Sequence, residues 1–145
     1  FGAKLNVYDP YKKKKYVFLN NNIKEVISKS DIVIICVKLT KETTNLFSKK
    51  YFSYLKKGAI LINTSRAEVV DDNLLIKYIK SKRISFAFTD VIRYEQEKNK
   101  KSKLLSFSKK NKNLIITPHM AGLTFDSESK AAKLSINHLK KFFSL

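Results

Sequence analysis

Gly58-Ala59-Ile60-Leu61-Ile62-Asn63-Thr64-Ser65-Arg66-Ala67 opens a stretch, reaching to Glu95, whose reading decides the fold. Ala59 to Asn63 is an apolar strand, and Thr64 to Ala67 turns the chain. A helix is expected to start near Asp71, with Asp71 or Asp72 as its cap and Leu74, Leu75, Tyr78 and Ile79 as its inner face. A second strand, Ile84 to Phe88, leads through Thr89-Asp90 to Glu95. Two strands joined by a helical crossover make a βαβ unit, and ligands bind in the loops at the carboxyl ends of such strands. Arg66, Asp90 and Glu95 all fall at that edge. A guanidinium and two carboxylates gathered there point to a site.

Working outward, Lys4 to Tyr8 alternates weakly and ends in Asp9-Pro10, a strand followed by a turn. Asn22 to Ser28 reads as a short helix with Ile23, Val26 and Ile27 on one face. Asp31 to Val37 is an unbroken apolar run rich in β-branched residues, the pattern of a central parallel strand covered on both faces. Within it Cys36 reads as a buried small hydrophobe. Ser48 is a candidate N-cap, with Phe47 packing on Phe52 as a hydrophobic staple. Lys56-Lys57-Gly58 supplies cations for that helix's negative end and a glycine for a left-handed cap. From Arg93 to Lys112 the chain turns polar, a long surface loop with one helical turn anchored by Leu104, Leu105 and Phe107. Asn113 to Thr117 is the last strand, stopped by Pro118. A final helix, Phe125 to Phe143, is expected to bury Ala132, Ile136, Leu139 and Phe143. Strands and helices alternating in this way define a doubly wound parallel α/β sheet, with residues 1–145 forming part of one dinucleotide-binding domain.

Composition narrows the function. The chain has 145 residues, 43% hydrophobic and 12% aromatic, enough for one ordinary core. No apolar run approaches the roughly 20 residues of a membrane helix, so no membrane association is expected. Phe1-Gly2-Ala3-Lys4 leads straight into a strand, without the pattern of a signal peptide. The single cysteine, Cys36, rules out an internal disulfide and fits a reducing, cytoplasmic setting. No metal site is expected. The net charge of +18 suggests nucleic acid, yet of the 30 basic residues only Arg66, Arg83 and Arg93 are arginine, the better reader of phosphates and bases. The lysines are spread along the chain, and nucleic-acid binding is set aside as the main function.

Asn63-Thr64-Ser65-Arg66, Val70-Asp71-Asp72-Asn73-Leu74-Leu75, Thr89-Asp90-Val91 and Pro118-His119-Met120-Ala121-Gly122 follow one another in an order and spacing that resemble the D-isomer-specific 2-hydroxyacid dehydrogenases. The resemblance covers nearly the whole chain. It implies a Rossmann-like NAD-binding domain whose first strand and glycine loop would lie upstream of Phe1, with the substrate domain also outside the chain. It further implies a homodimer built through this domain and a small 2-keto or 2-hydroxy acid as substrate. In such folds an acidic residue ending the second strand accepts hydrogen bonds from the adenosine ribose, the place of Asp9. A glycine fingerprint lies about 20 residues before that acid, hence upstream of Phe1. Lys12 to Lys15 could meet a 2′-phosphate, but Asp9 would repel it, so NAD is expected over NADP.

Reducing a 2-keto acid requires a cation to hold the carboxylate and polarise the ketone, an acid to protonate the new alkoxide, and a nicotinamide in line. Arg66 suits the first, since a guanidinium grips a carboxylate bidentately. His119 suits the second. Glu95 can hydrogen-bond that imidazole, orient it and favour its charged form. The resemblance assigns Arg66, His119 and Glu95 these same roles and places Asp90 at the nicotinamide end. Thr64, Ser65, Arg66, His119, Ala121 and Gly122 complete the implied cofactor contacts. Taken singly, Arg66 reads as a surface cation and His119 as a loop residue. Glu97 competes with Glu95, but only Glu95 has the family's spacing from Asp90.

Departures are visible too. Ala67 and Glu68 follow Arg66 where the family commonly has glycine, and a methyl there is expected to shift Arg66 or crowd the nicotinamide. Lys38 stands where proline is usual and is expected to loosen a second cofactor loop. The rival readings are a non-catalytic, corepressor-type NAD-binding relative, a formate dehydrogenase (which has glutamine at the position of Glu95), and a methyltransferase. None of them needs Arg66, Glu95 and His119 together.

Overall fold

The computed structural model describes residues 2–12, 18–97 and 99–143. Its elements run α1 (Ile23–Lys29), β1 (Ile32–Ile35), α2 (Lys49–Tyr54), β2 (Ala59–Asn63), a 3-10 turn (Ala67–Val69), α3 (Asp72–Lys80), β3 (Ile84–Thr89), α4 (Lys103–Ser108), β4 (Leu114–Ile116) and α5 (Phe125–Phe143). The four strands pair in parallel in the order β1-β2-β3-β4, a Rossmann-like α/β layer. Neighbouring strands in sequence are neighbours in space, so the sheet advances in one direction and every carboxyl end lies along the same edge.

Side-chain alternation divides this sheet sharply. Ala59, Leu61, Asn63, Ala87, Thr89 and Leu114 share one face and are all buried. Helices α1 to α4 lie side by side on that face, and Phe52, Leu61, Val69 and Ile84 form the fully buried centre. On the other face Ile32, Ile34, Phe86 and Ile115 stay exposed. The reading of Asp31–Val37 as a central strand covered on both faces is therefore corrected: β1 is the edge of the described sheet. Cys36 is exposed rather than buried, because it shares the side-chain parity of Ile32 and Ile34.

Local signals hold α3 as expected. The Asp71 carboxylate accepts the N–H groups of Asn73 and Leu74 at 2.9 and 3.0 Å, while Leu75 and Ile79 enter the core. The start of α2 depends instead on its staple: the rings of Phe47 and Phe52 meet edge to face at 5.1 Å, and the Ser48 side chain makes no capping bond. That helix ends at Tyr54, so Gly58, with φ +80°, turns the chain into β2 and does not cap the helix. Lys56 likewise misses the last turn and pairs with Asp31 at 2.8 Å.

Three further readings change. Lys4 to Tyr8 contributes an isolated parallel bridge, Val7 to Leu19, and no strand of the sheet. The expected loop from Arg93 contains a six-residue helix, α4, capped by Ser102 and inserting Leu104 into the core. Helix α5 has the expected bounds but buries nothing: Ile136, Leu139 and Phe143 are 52%, 58% and 63% exposed. Its apolar periodicity is real, yet no described element supplies a facing surface. Lys13 to Lys15, within the lysine run, lie outside the described residues.

Candidate active site

The carboxyl ends of β2, β3 and β4 are knitted together by their own polar residues. Asn63, the buried last residue of β2, accepts the N–H and hydroxyl of Ser65 at 3.1 and 2.8 Å and donates to the Arg66 carbonyl at 3.0 Å. This closes the turn that carries Arg66. Across the edge, the Asp90 N–H donates to the Asn63 carbonyl, and the Thr117 N–H donates to that of Thr89, each at 3.0 Å.

Asp90 organises the loop beyond β4. Its Oδ1 accepts the Thr117 hydroxyl and, at 3.0 Å, the Met120 N–H; its Oδ2 accepts the Ala121 N–H at 2.8 Å. Burial alone would push this carboxyl up, but the bonds from Thr117, Ala121 and Met120, with the nearby His119 ring, outweigh it and hold Asp90 below the ordinary aspartate value. Between these anchors His119 takes φ +52°, a left-handed conformation unusual for a side chain with a Cβ. Tyr94, one residue before Glu95, does the same at +63°. Backbone strain at both supports of one pair is the pattern expected where geometry is held for function.

The pair itself is formed: His119 Nδ1 lies 2.9 Å from Glu95 Oε2. Glu97, the competing carboxylate, turns away to Lys100 at 2.7 Å. Of the two carboxylates, Glu95 is the one hydrogen-bonded to His119. Arg66 rises from the same sheet edge, exposed, its Nη1 donating to the Ser65 carbonyl at 2.6 Å. It forms no ion pair with Glu95 among the described residues.

An open pocket of about 250 Å3 lies over this edge, walled by Ile62, Phe88, Ile115 and Met120 and rimmed by Thr64, Asp90, Thr117 and Ala121. Apolar walls with a few polar groups at the rim are the general make-up of a small-molecule site. The remaining expected contacts are less direct. The Ser65 hydroxyl turns inward to Asn63. A Cβ added at Gly122 would meet open space, and the Gly122 carbonyl accepts the Ser127 hydroxyl at 3.0 Å. Asp9 stands outside the sheet, its Oδ1 accepting the Tyr11 N–H at 3.0 Å to form the expected turn.

Both departures from the family pattern are accommodated. Ala67 is buried, opens a 3-10 turn without positive φ, and lines a small void of about 10 Å3 in the core, not the open pocket. Lys38 lends its carbonyl to the Thr43 hydroxyl at 2.6 Å, within a turn closed by Thr40 and Thr43.

Sequence reasoning missed the anchoring roles of Asn63 and Thr117 and the whole contribution of Arg93. Arg93 donates to Asn45 Oδ1 at 3.0 Å and the Val70 carbonyl at 3.1 Å, and its Nε lies 3.7 Å from Asp72 Oδ1. A signal was present: in a chain whose cations are nearly all lysine, two of its three arginines flank this edge.

A parallel α/β layer with such a pocket and an acid–imidazole pair over its carboxyl edge is a Rossmann-like nucleotide-binding domain. Comparison with known proteins makes this specific. Residues 1–121 match the family model described as D-isomer specific 2-hydroxyacid dehydrogenase, NAD binding domain. YoaD of Bacillus subtilis, named as a 2-hydroxyacid dehydrogenase, is 36% identical over 143 residues, 98% of this chain and 40% of its own length. Glyoxylate reductase of Pyrococcus furiosus is 36% identical over 83% of this chain and 34% of its own. Among solved structures, the NAD-complexed D-isomer specific 2-hydroxyacid dehydrogenase of Lactobacillus delbrueckii ssp. bulgaricus superposes with a TM-score of 0.79 at 27% identity, covering 99% of this chain and 46% of that one. The chain belongs to the D-isomer-specific 2-hydroxyacid dehydrogenase family, through its NAD-binding domain. It spans about 40% of the length of YoaD.

Proposed function

We propose that the protein to which this chain belongs interconverts a 2-keto acid and a D-2-hydroxy acid with NAD, and that Arg66, Glu95 and His119 serve the reaction. The observation carrying this reading is the 2.9 Å bond between His119 Nδ1 and Glu95 Oε2, with Met120 and Ala121, the two residues after His119, lining the pocket. It leaves Nε2 as the ring nitrogen free to meet a substrate oxygen. The pocket walls of Ile62, Phe88 and Ile115 would hold the nicotinamide, with Thr64 and Asp90 at its rim and Asp9 towards the ribose. When bound, that ring delivers or accepts the hydride. Arg66 grips the substrate carboxylate and polarises the adjacent ketone. His119 passes a proton from Nε2 to the oxygen that becomes the hydroxyl, and takes it back in the oxidising direction. Glu95 keeps the imidazole in the required tautomer and offsets its charge.

The same reading carries the expectations of a homodimer and a cytoplasmic setting. No helix among the described residues is long and apolar enough to cross a membrane. In the full-length protein, Arg66→Ala or His119→Ala should lower kcat/KM for the 2-keto acid by about 10²- to 10⁴-fold. Steady-state oxidation of NADH measures this, and near-normal turnover in either variant removes the assignment.

A further inference from the structure

Arg93 sits two residues before Glu95 and reaches back across the sheet edge. Its Nη2 donates to Asn45 Oδ1 at 3.0 Å, to the Val70 carbonyl at 3.1 Å and, more weakly, to the Glu68 carbonyl at 3.5 Å. Asn45 takes φ +53°, and its own N–H donates to the same Glu68 carbonyl at 2.8 Å. Glu68 and Val70 belong to the segment that follows Arg66, tied to it by the Val69 N–H donating to the Arg66 carbonyl. One guanidinium thus joins the segment after Arg66, the Thr40–Leu46 turn and the loop of Glu95.

The counterion is unusual. Asp72, at the start of α3, is only 7% exposed, and its Oδ1 makes no hydrogen bond. Burial pushes its carboxyl up, and Arg93 is the foremost group opposing that. Removing one partner of a buried pair leaves the other charge uncompensated, so the structure resists separating them. A lysine would supply the charge but not a planar fork able to meet acceptors on several segments at once.

We propose that Arg93 is a positioning residue for the reaction proposed above, on which this inference rests: braced by Asp72, it locks the Glu95 loop to the Arg66 turn, fixing the carboxylate-binding cation relative to the acid–base pair. Arg93 touches neither Glu95 nor His119 through a hydrogen bond or ion pair among the described residues, so its effect passes through the backbone.

The test uses the full-length protein and its Arg93→Met, Arg93→Lys, Asp72→Asn and Glu95→Gln variants. Arg93→Met should lower kcat/KM for the 2-keto acid about 10- to 100-fold, with NADH binding unchanged. Arg93→Lys should recover only part of this, and Asp72→Asn, the milder change should Arg93→Met fold poorly, should show a smaller loss of the same kind. Adding Arg93→Met to Glu95→Gln should cost less than Arg93→Met costs alone, because Arg93 acts in part through the Glu95 carboxylate and in part through the Arg66 turn. Amide hydrogen exchange should show residues 43–47, 67–71 and 93–97 loosening together in Arg93→Met while β2 and β3 keep their protection. Multiplicative losses in the double variant, or turnover within twofold of wild type with unchanged exchange, overturn the positioning role alone. A wild-type protein without turnover overturns the reaction and this role with it, while the exchange measurement still reports whether the three segments are joined.

Discussion

Asp90 directs both carboxylate oxygens to the Thr117–Ala121 loop, so the residue expected to face the cofactor also holds His119 in its left-handed conformation. Asp90→Ala should cost about 1–3 kcal/mol, since the released N–H groups lie near solvent and water replaces part of what is lost. Its pH dependence has a definite sign. A carboxyl held below its ordinary value stabilises the fold fully above the unfolded pKa, and that contribution disappears as pH falls through the folded pKa. Asp72 has the opposite sign: its raised carboxyl means ionisation costs stability, a cost relieved on acidification through the folded pKa. Chemical unfolding across the acid range should therefore show a shallower acid-side loss in Asp90→Ala and a steeper one in Asp72→Asn. Parallel pH profiles for the two variants would contradict this.

At the level of elements, the two helix starts that look alike in sequence differ physically. Asp71 caps α3 through two N–H groups, whereas Ser48 precedes α2 without a side-chain bond. Asp71→Ala should cost about 0.5–2 kcal/mol and Ser48→Ala less than about 0.5 kcal/mol, read from denaturant midpoints. Phe52→Ala should cost about 3–5 kcal/mol, because the fully buried ring also meets Phe47 and Tyr78. Equal costs at the two caps would show that the staple does not replace the cap. Periodicity placed β2, α3 and α5 closely because it reports which residues share a face. It cannot report whether that face is covered. Ile32 and Ile34 on β1, Cys36 just after it, and Ile136 and Leu139 on α5 were misread for that reason. Helix α4 was partly hidden because six residues with three apolar positions hardly differ from a polar loop.

For the whole molecule, the parallel α/β layer and the pairing of Glu95 with His119 were legible, since alternating apolar runs and motif spacing follow from the chain itself. The braces were not. Arg93 with Asp72, and Asp90 with Thr117, join residues 21 and 27 positions apart through loops whose path only the folded chain defines. Among the described residues Lys29, Lys56 and Lys100 pair with Glu25, Asp31 and Glu97, and with 30 basic residues against 12 acidic ones most of the +18 charge has no acidic counterpart in the chain. In the proposed reaction the chemistry would rest on a few groups at one sheet edge, Arg66, Glu95 and His119. The most direct measurement follows deuterium from labelled NADH into pyruvate or hydroxypyruvate with the full-length protein, read by NMR of the product. The account predicts deuterium at C2 of the D-hydroxy acid, with the transfer lost in His119→Ala. Transfer that persists in that variant, or none in the wild-type protein saturated with NADH, would contradict it.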